Sequence, residues 1–169
     1  MAVPSDLAAS RERKRLSVGE LEGRTIAVDG YNVLITVESL LSGVPVYLCD
    51  DGFLRDTRGV FRRFQLSDLT VIALEEVISI LKEYGVARAE FILDQQISRS
   101  GELAARIREM MADLDLPGSA KTARDADRRL KLAASPVATG DGAVIDAASE
   151  VVDIPGEVAN RRVIKAAVI

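Results

Sequence analysis

Three apolar runs in this chain stop at an acid. Ile26 to Val28 runs into Asp29, Ala89 to Leu93 into Asp94, and Pro136 to Thr139 into Gly140-Asp141. Short apolar runs bounded by turn residues predict buried strands, here over 25–29, 89–93 and 136–139. Gly30 predicts a turn directly after the first of them. The intervening segments have helical spacing. Val33, Leu34, Val37, Leu40 and Leu41 predict a helix over 33–41 that ends at Gly43. Leu69, Ile72, Ala73, Val77, Ile80, Leu81 and Tyr84 predict one over 68–84, with Ser67-Asp68 at its start and Gly85 at its end. Leu103, Ile107, Met110 and Leu114 predict another, capped by Ser100 and broken by Pro117-Gly118. A short extended piece near 119–122, a helix over 124–134, a short helix over 143–149 and a strand over 150–154 complete the series.

Strands alternating with helices imply a mostly parallel sheet with helices on both faces, a three-layer α/β/α, Rossmann-like fold. Three segments stand outside it. Residues 1–23 read as a charged tail or short helix, and 155–169 as a C-terminal extension of a domain over 24–154. Residues 44–64 read as an inserted hairpin or loop, with a strand near 44–49 and a turn at Asp50-Asp51-Gly52. The insert is a candidate contact for a homodimer or another protein.

Parallel strands bring their carboxyl ends to one edge, where ligands bind in open α/β sheets. Asp29, Asp94 and Asp141 therefore face one crevice, and Asp125 and Asp127 join them if the segment before their helix runs back to that edge. Gathered carboxylates repel unless a cation lies among them or some are protonated. The plainer readings are turn residues, a capping box from Thr122 to Asp125, and i,i+4 ion pairs of Asp125 with Arg129 and of Asp127 with Lys131. Asn32 is expected either to cap the next helix or to bond Asp29, and Asp146 to support the site or lie on a wet helix face.

Composition narrows the chemistry. The 169 residues contain no His and a single Cys, Cys49. That removes His-based nucleophilic catalysis and any His or Cys metal site within the chain, and leaves oxygen ligands suited to Mg²⁺ or Mn²⁺. Aromatic residues make up 4% and Trp is absent, which argues against a base-stacking platform. The net charge of −4 argues against bulk capture of nucleic acid. Local contacts with a phosphate backbone remain open to Arg55, Arg58, Arg62 and Arg63, interleaved with Phe53, Phe61 and Phe64, and to Arg99 and Arg124. No signal-peptide pattern and no apolar run of about 18 residues is present, so the expected address is cytoplasmic and no membrane partner is expected.

Four motifs in order, Asp29-Gly30-Tyr31-Asn32, Phe91-Ile92-Leu93-Asp94, Asp125-Ala126-Asp127 and Val137-Ala138-Thr139-Gly140-Asp141, resemble the PIN-like nuclease superfamily. The likeness is to its NYN branch and to a mainly archaeal set within it. The resemblance implies a PIN-like fold and a Mg²⁺- or Mn²⁺-dependent ribonuclease acting on single-stranded or structured RNA. It implies metal ligation by Asp29, Asp125, Asp127 and Asp141, with Asp94 assisting catalysis. The acid that many PIN domains carry in the helix after the first strand has only Glu38 as a counterpart, and the 44–64 insert departs from the pattern. An incomplete acid set would leave an inactive RNA-binding or scaffold protein. The Gly140-Asp141…Asp146 stretch also resembles haloacid-dehalogenase-type phosphatases, but Tyr31 stands where those enzymes carry a second Asp.

Overall fold

A computed structural model describes residues 2–56, 64–162 and, for the backbone only, 167–168. The elements in chain order are α1 (Ser5–Lys14), β1 (Arg15–Leu16), β2 (Thr25–Asp29), α2 (Gly30–Ser42), β3 (Val46–Leu48), β4 (Leu54–Asp56), α3 (Asp68–Glu83) and β5 (Arg88–Asp94). They continue with α4 (Ser100–Asp113), β6 (Gly118–Ala123), α5 (Ala126–Lys131), β7 (Val137–Ala138), α6 (Gly142–Ala147), β8 (Val151–Val152), α7 (Ile154–Arg162) and β9 (Ala167–Val168).

Six strands form a parallel sheet in the order β1-β8-β7-β2-β5-β6. Helices α2, α3, α4 and α7 pack on one face over the larger apolar cluster, which includes Leu34, Val77, Phe91 and Ile107. Helices α1, α5 and α6 occupy the other side, where Ala27, Val137, Val144 and Val151 form a smaller cluster. This is the three-layer α/β/α architecture that the alternation of elements predicts. From β2 the chain moves outward to β5 and β6, then returns to the opposite side of β2 for β7 and β8. The order therefore reverses at the β2–β7 boundary, the topological switch point at which open α/β sheets generally bind ligands.

Three elements differ from their sequence expectation. The extended piece near 119–122 is a full strand, β6, because six of its residues register with β5. That pairing carries the chain back to the carboxyl edge just before Asp125. The charged segment 1–23 supplies a helix and also β1, which extends the sheet beside β8. Ser100 is the first residue of α4 rather than its cap, and Arg99 precedes it in the left-handed region at φ 61°. Residues 46–56 do form a hairpin, whose outer strand edge pairs with β9. Ser67 caps α3 as expected, its hydroxyl accepting from Thr70 N at 3.4 Å.

Gly30 serves a purpose different from the turn it suggests. It is the first residue of α2, with Asp29 at the cap position. A Cβ there would lie 2.3 Å from Leu93 Cδ2 and 3.3 Å from the Ile92 carbonyl oxygen. Leu93 is fully buried and has nowhere to swing, so the glycine lets α2 leave the strand end close against β5. The expected outcome for Gly30→Ala is a loss of roughly 1–3 kcal/mol from overpacking. Urea unfolding would measure it, and an unchanged midpoint would contradict the close approach.

Candidate functional site at the sheet edge

The register of β2 on β7 places Val28 opposite Ala138, so the next residues, Asp29 and Thr139, meet at the switch point. The Thr139 hydroxyl donates to Asp29 Oδ2 at 2.9 Å and accepts the Asp141 backbone N–H at 3.0 Å. Gly140 N–H, between them, donates to Asn32 Oδ1 at 2.8 Å. Asn32 thus bonds the Asp29 carboxylate through its backbone N–H, while its side chain turns to the opposing strand end. Asp141 caps α6, its Oδ1 accepting from Ala143 N at 2.9 Å and Val144 N at 3.4 Å. The first and last of the strand-end motifs are therefore joined through one threonine hydroxyl.

Burial is the main reason the Asp29 carboxyl is pushed up to about 7. The Thr139 hydrogen bond opposes that shift, while the negative charges of Asp141 and Asp127 add to it. Asp29 thus sits among like charges near its own titration point at neutral pH.

The other acids are placed less centrally. Asp127 is near enough to act on Asp29 but is exposed and paired with Lys131 at 2.8 Å. Asp125 is exposed and paired with Arg129 at 2.8 Å, which pulls its pKa below the ordinary value. Asp94 closes its own turn, Oδ1 accepting from Gln96 N at 2.9 Å. Among the described residues no group of three or more potential ligands is gathered for a metal ion. The expected four-carboxylate set is therefore not assembled, because two of its members are held by cations one helical turn away. A single hydrated hard cation remains compatible with Asp29 and Asp141. Mg²⁺ commonly takes one or two carboxylates and completes its shell with water and substrate phosphate.

The basic residues divide. Arg124 is exposed just past the end of β6, and Arg99 is exposed in the loop after β5 but paired with Glu102 at 2.6 Å. Arg55 is turned inward: its two amino groups bond Asp51 at 2.9 and 2.7 Å, and its Nε donates to the Gly140 carbonyl at 2.6 Å. It cannot offer itself to a phosphate backbone without abandoning a buried carboxylate. Arg58, Arg62 and Arg63 lie outside the described residues. Glu38 is buried between α2 and α3, accepting from Thr70 Oγ1 at 2.5 Å. Asp146 is no free helix-face acid, since Arg11 grips both its oxygens at 2.8 and 2.9 Å.

Four residues carry placements that the sequence pattern did not single out. Thr139 links the two acids. Asp51 and Arg11 complete a buried ionic cluster with Arg55. Asp153 ends β8 and is buried, its oxygens accepting from Leu54 N and Gly156 N, both at 3.1 Å. The signal for Asp153 was available: an acid after the Val151-Val152 run repeats the arrangement of the other three strands. A cavity of about 720 Å³ lies elsewhere, lined by Arg24, Thr25, Glu90, Arg129 and Ser135 toward the amino ends of β2 and β7.

Tyr31 packs edge-to-face on Phe64, with ring centroids 5.1 Å apart. Burial and the charge of Asp94 push its hydroxyl up to about 12, and among the described residues that hydroxyl has no hydrogen-bond partner. Removing an unsatisfied buried hydroxyl relieves a cost of roughly 1–3 kcal/mol. Tyr31→Phe is therefore expected to hold or raise the Tm, and a clear drop would reveal a partner. A second expectation concerns pH. Asp29 binds a proton in the folded chain up to about 7, whereas an unfolded aspartate releases it near 4. With a chelator present, stability should therefore fall as pH rises from about 4 to about 7, by up to roughly 4 kcal/mol. Denaturant titrations of wild type and Asp29→Asn across that range should show the slope flattened in the variant.

Comparison with known proteins places the chain in a family. Residues 18–157 match the family described as a domain of unknown function, DUF5616, and the chain belongs to it. It is also similar to the uncharacterized protein MJ0935 of Methanocaldococcus jannaschii, at 36% identity over 134 residues. That stretch covers 79% of this chain and 64% of the relative. No solved structure matches the chain.

Proposed function

We propose that this member of the DUF5616 family is a metal-dependent nuclease, most readily a ribonuclease, that hydrolyses phosphodiester bonds at the β2–β7 switch point. The observation that carries this reading is the meeting of two strand-end acids at the switch point, where Thr139 donates to the Asp29 carboxylate and accepts the Asp141 backbone N–H. The absence of His supports oxygen-ligand metal chemistry over other routes to hydrolysis. Exposed Arg124, just past the end of β6, and exposed Arg128, on α5, give a phosphate backbone somewhere to lie. The choice of RNA rests on the resemblance of the four motifs to the NYN-type PIN-like proteins.

In this proposal Asp29 and Asp141 hold one divalent cation, and Asp127 adds negative potential from α5. Bound Mg²⁺ or Mn²⁺ would supply a water of lowered pKa and would screen the charge growing on the phosphate. Thr139 fixes one oxygen of Asp29 by donating to it, so the carboxylate cannot rotate away. A divalent cation held there would keep Asp29 ionised at neutral pH, so the metal-bound water and not the carboxyl would supply the chemistry. Asn32 holds the Gly140 backbone, and with it the direction in which Asp141 points.

Among the described residues no three carboxylates gather, and this favours a second reading, in which the chain binds RNA without cutting it. One experiment separates the two. Labelled single-stranded RNA and DNA are incubated with the protein, with Mn²⁺ or with a chelator. The nuclease reading expects Mn²⁺-dependent cleavage that falls at least about a hundredfold in Asp29→Asn and Asp141→Asn, a loss of roughly 2.7 kcal/mol of barrier lowering. Asp125→Asn should retain most of it. RNA bound but uncut under every condition would establish the binding reading. Hydrolysis of small phosphomonoesters through an aspartyl-phosphate would overturn both.

A further inference from the structure

The 44–64 insert has a contact with the site that neither the fold nor the family assigns. Arg55, on β4, sends its Nε–H to the Gly140 carbonyl at 2.6 Å. The same glycine's N–H is already held by Asn32 at 2.8 Å. Gly140 is thus clamped on both backbone groups, from two different segments, in the residue between Thr139 and Asp141. A Cβ at Gly140 would lie 3.2 Å from the Leu54 carbonyl oxygen, which shows how closely β4 lies against this strand end.

Arg55 is itself held. Both its amino groups bond the two oxygens of Asp51, a residue with no solvent exposure. Arg11 from α1 donates to the same carboxylate at 2.9 Å and grips Asp146 of α6 with its other nitrogens. Two arginines and two aspartates balance to zero net charge, which makes this much buried charge tolerable. Burial raises the Asp51 carboxyl, but the hydrogen bonds from Arg55 and Arg11 outweigh it and leave it below the ordinary value. The hairpin is fixed independently by Asp153, whose Oδ2 takes the Leu54 N–H. Three donors fanned in one plane are required at position 55. A lysine ammonium cannot grip both Asp51 oxygens and reach Gly140 as well.

We propose that Arg55 is a positioning residue: by holding the Gly140 carbonyl it fixes the backbone that presents Asp141, and the hairpin of β3 and β4 is thereby a brace of the site. This rests on the nuclease reading for its catalytic consequence but not for its geometry. The test uses full-length Arg55→Gln and Arg55→Lys, checked for folding by circular dichroism. Amide hydrogen exchange at Gly140 and Asp141 should accelerate roughly tenfold to a hundredfold in both, as expected for losing one charge-assisted hydrogen bond, with β5 amides unchanged. RNA cleavage should show a lower kcat at unchanged KM. Unchanged exchange at Gly140 and Asp141 in a folded variant overturns the proposal. So does slow exchange retained in Arg55→Lys, or a rise in KM alone, which would mark Arg55 as a substrate contact. Global unfolding of both variants also overturns it, since Arg55 would then hold the fold at large. Accelerated exchange in a protein whose wild type neither binds Mn²⁺ nor cuts RNA would uphold the brace and defeat the nuclease reading.

Discussion

Strand β2 pairs in parallel with β5 on one side and β7 on the other, and the meeting of Asp29 with Thr139 at the carboxyl edge follows from that double registration. Val28 opposite Ala138 leaves Asp29 level with Thr139, and no other register brings a hydroxyl to that carboxylate. A slip of one residue would turn the side chains to opposite faces. Buried apolar positions on both strands, Ile26, Val28, Val137 and Ala138, prevent the slip. The polar arrangement is therefore secured by apolar packing beneath it. The acids contribute little to holding the strands and depend on them for their positions.

The edge is organised as two electrically different zones. Around β2 and β7 lie Asp29 and Asp141, and the Asp29 carboxyl is raised chiefly by burial, with the charges of Asp141 and Asp127 adding to it. Around the hairpin and α1 the acids are matched by arginines, and Asp51 stays ionised although fully buried. The second zone is matched charge for charge, whereas in the first the Asp29 carboxyl accepts from a neutral hydroxyl. The matched cluster ties distant segments together.

Much of this was readable in the chain. The α/β/α layering follows from alternating periodicities, and the strand-end acids from runs such as Ile26-Ala27-Val28-Asp29. The i,i+4 pairs of Asp125 and Asp127 were equally legible, and they explain why those acids are drawn away from the centre. What periodicity could not give was contact between segments far apart in sequence. Asn32 meets Gly140 across 108 residues, and Arg11 meets Asp146 across 135. Each side chain had a plausible local partner, and a distant one won because its backbone or charge would otherwise be unsatisfied. The strand β6 was understated for a related reason. Its sequence, Gly118 to Ala123, is polar on one side and weak in β-forming residues, and its pairing with β5 supplies what local preference lacks.

The matched cluster also says where this domain begins. Sequence similarity to the family starts at residue 18, after α1 and β1. Yet Arg11 on α1 bonds both the fully buried carboxylate of Asp51 and the exposed one of Asp146, and Lys14 donates to carbonyls in the last turn of α6 at 3.0 and 2.7 Å. A chain cut at the similarity boundary would keep every strand-end acid and lose the cation that Asp51 and Asp146 share. The block that matches the family and the block tied together by this cluster are different objects here, and the second is longer by one polar helix.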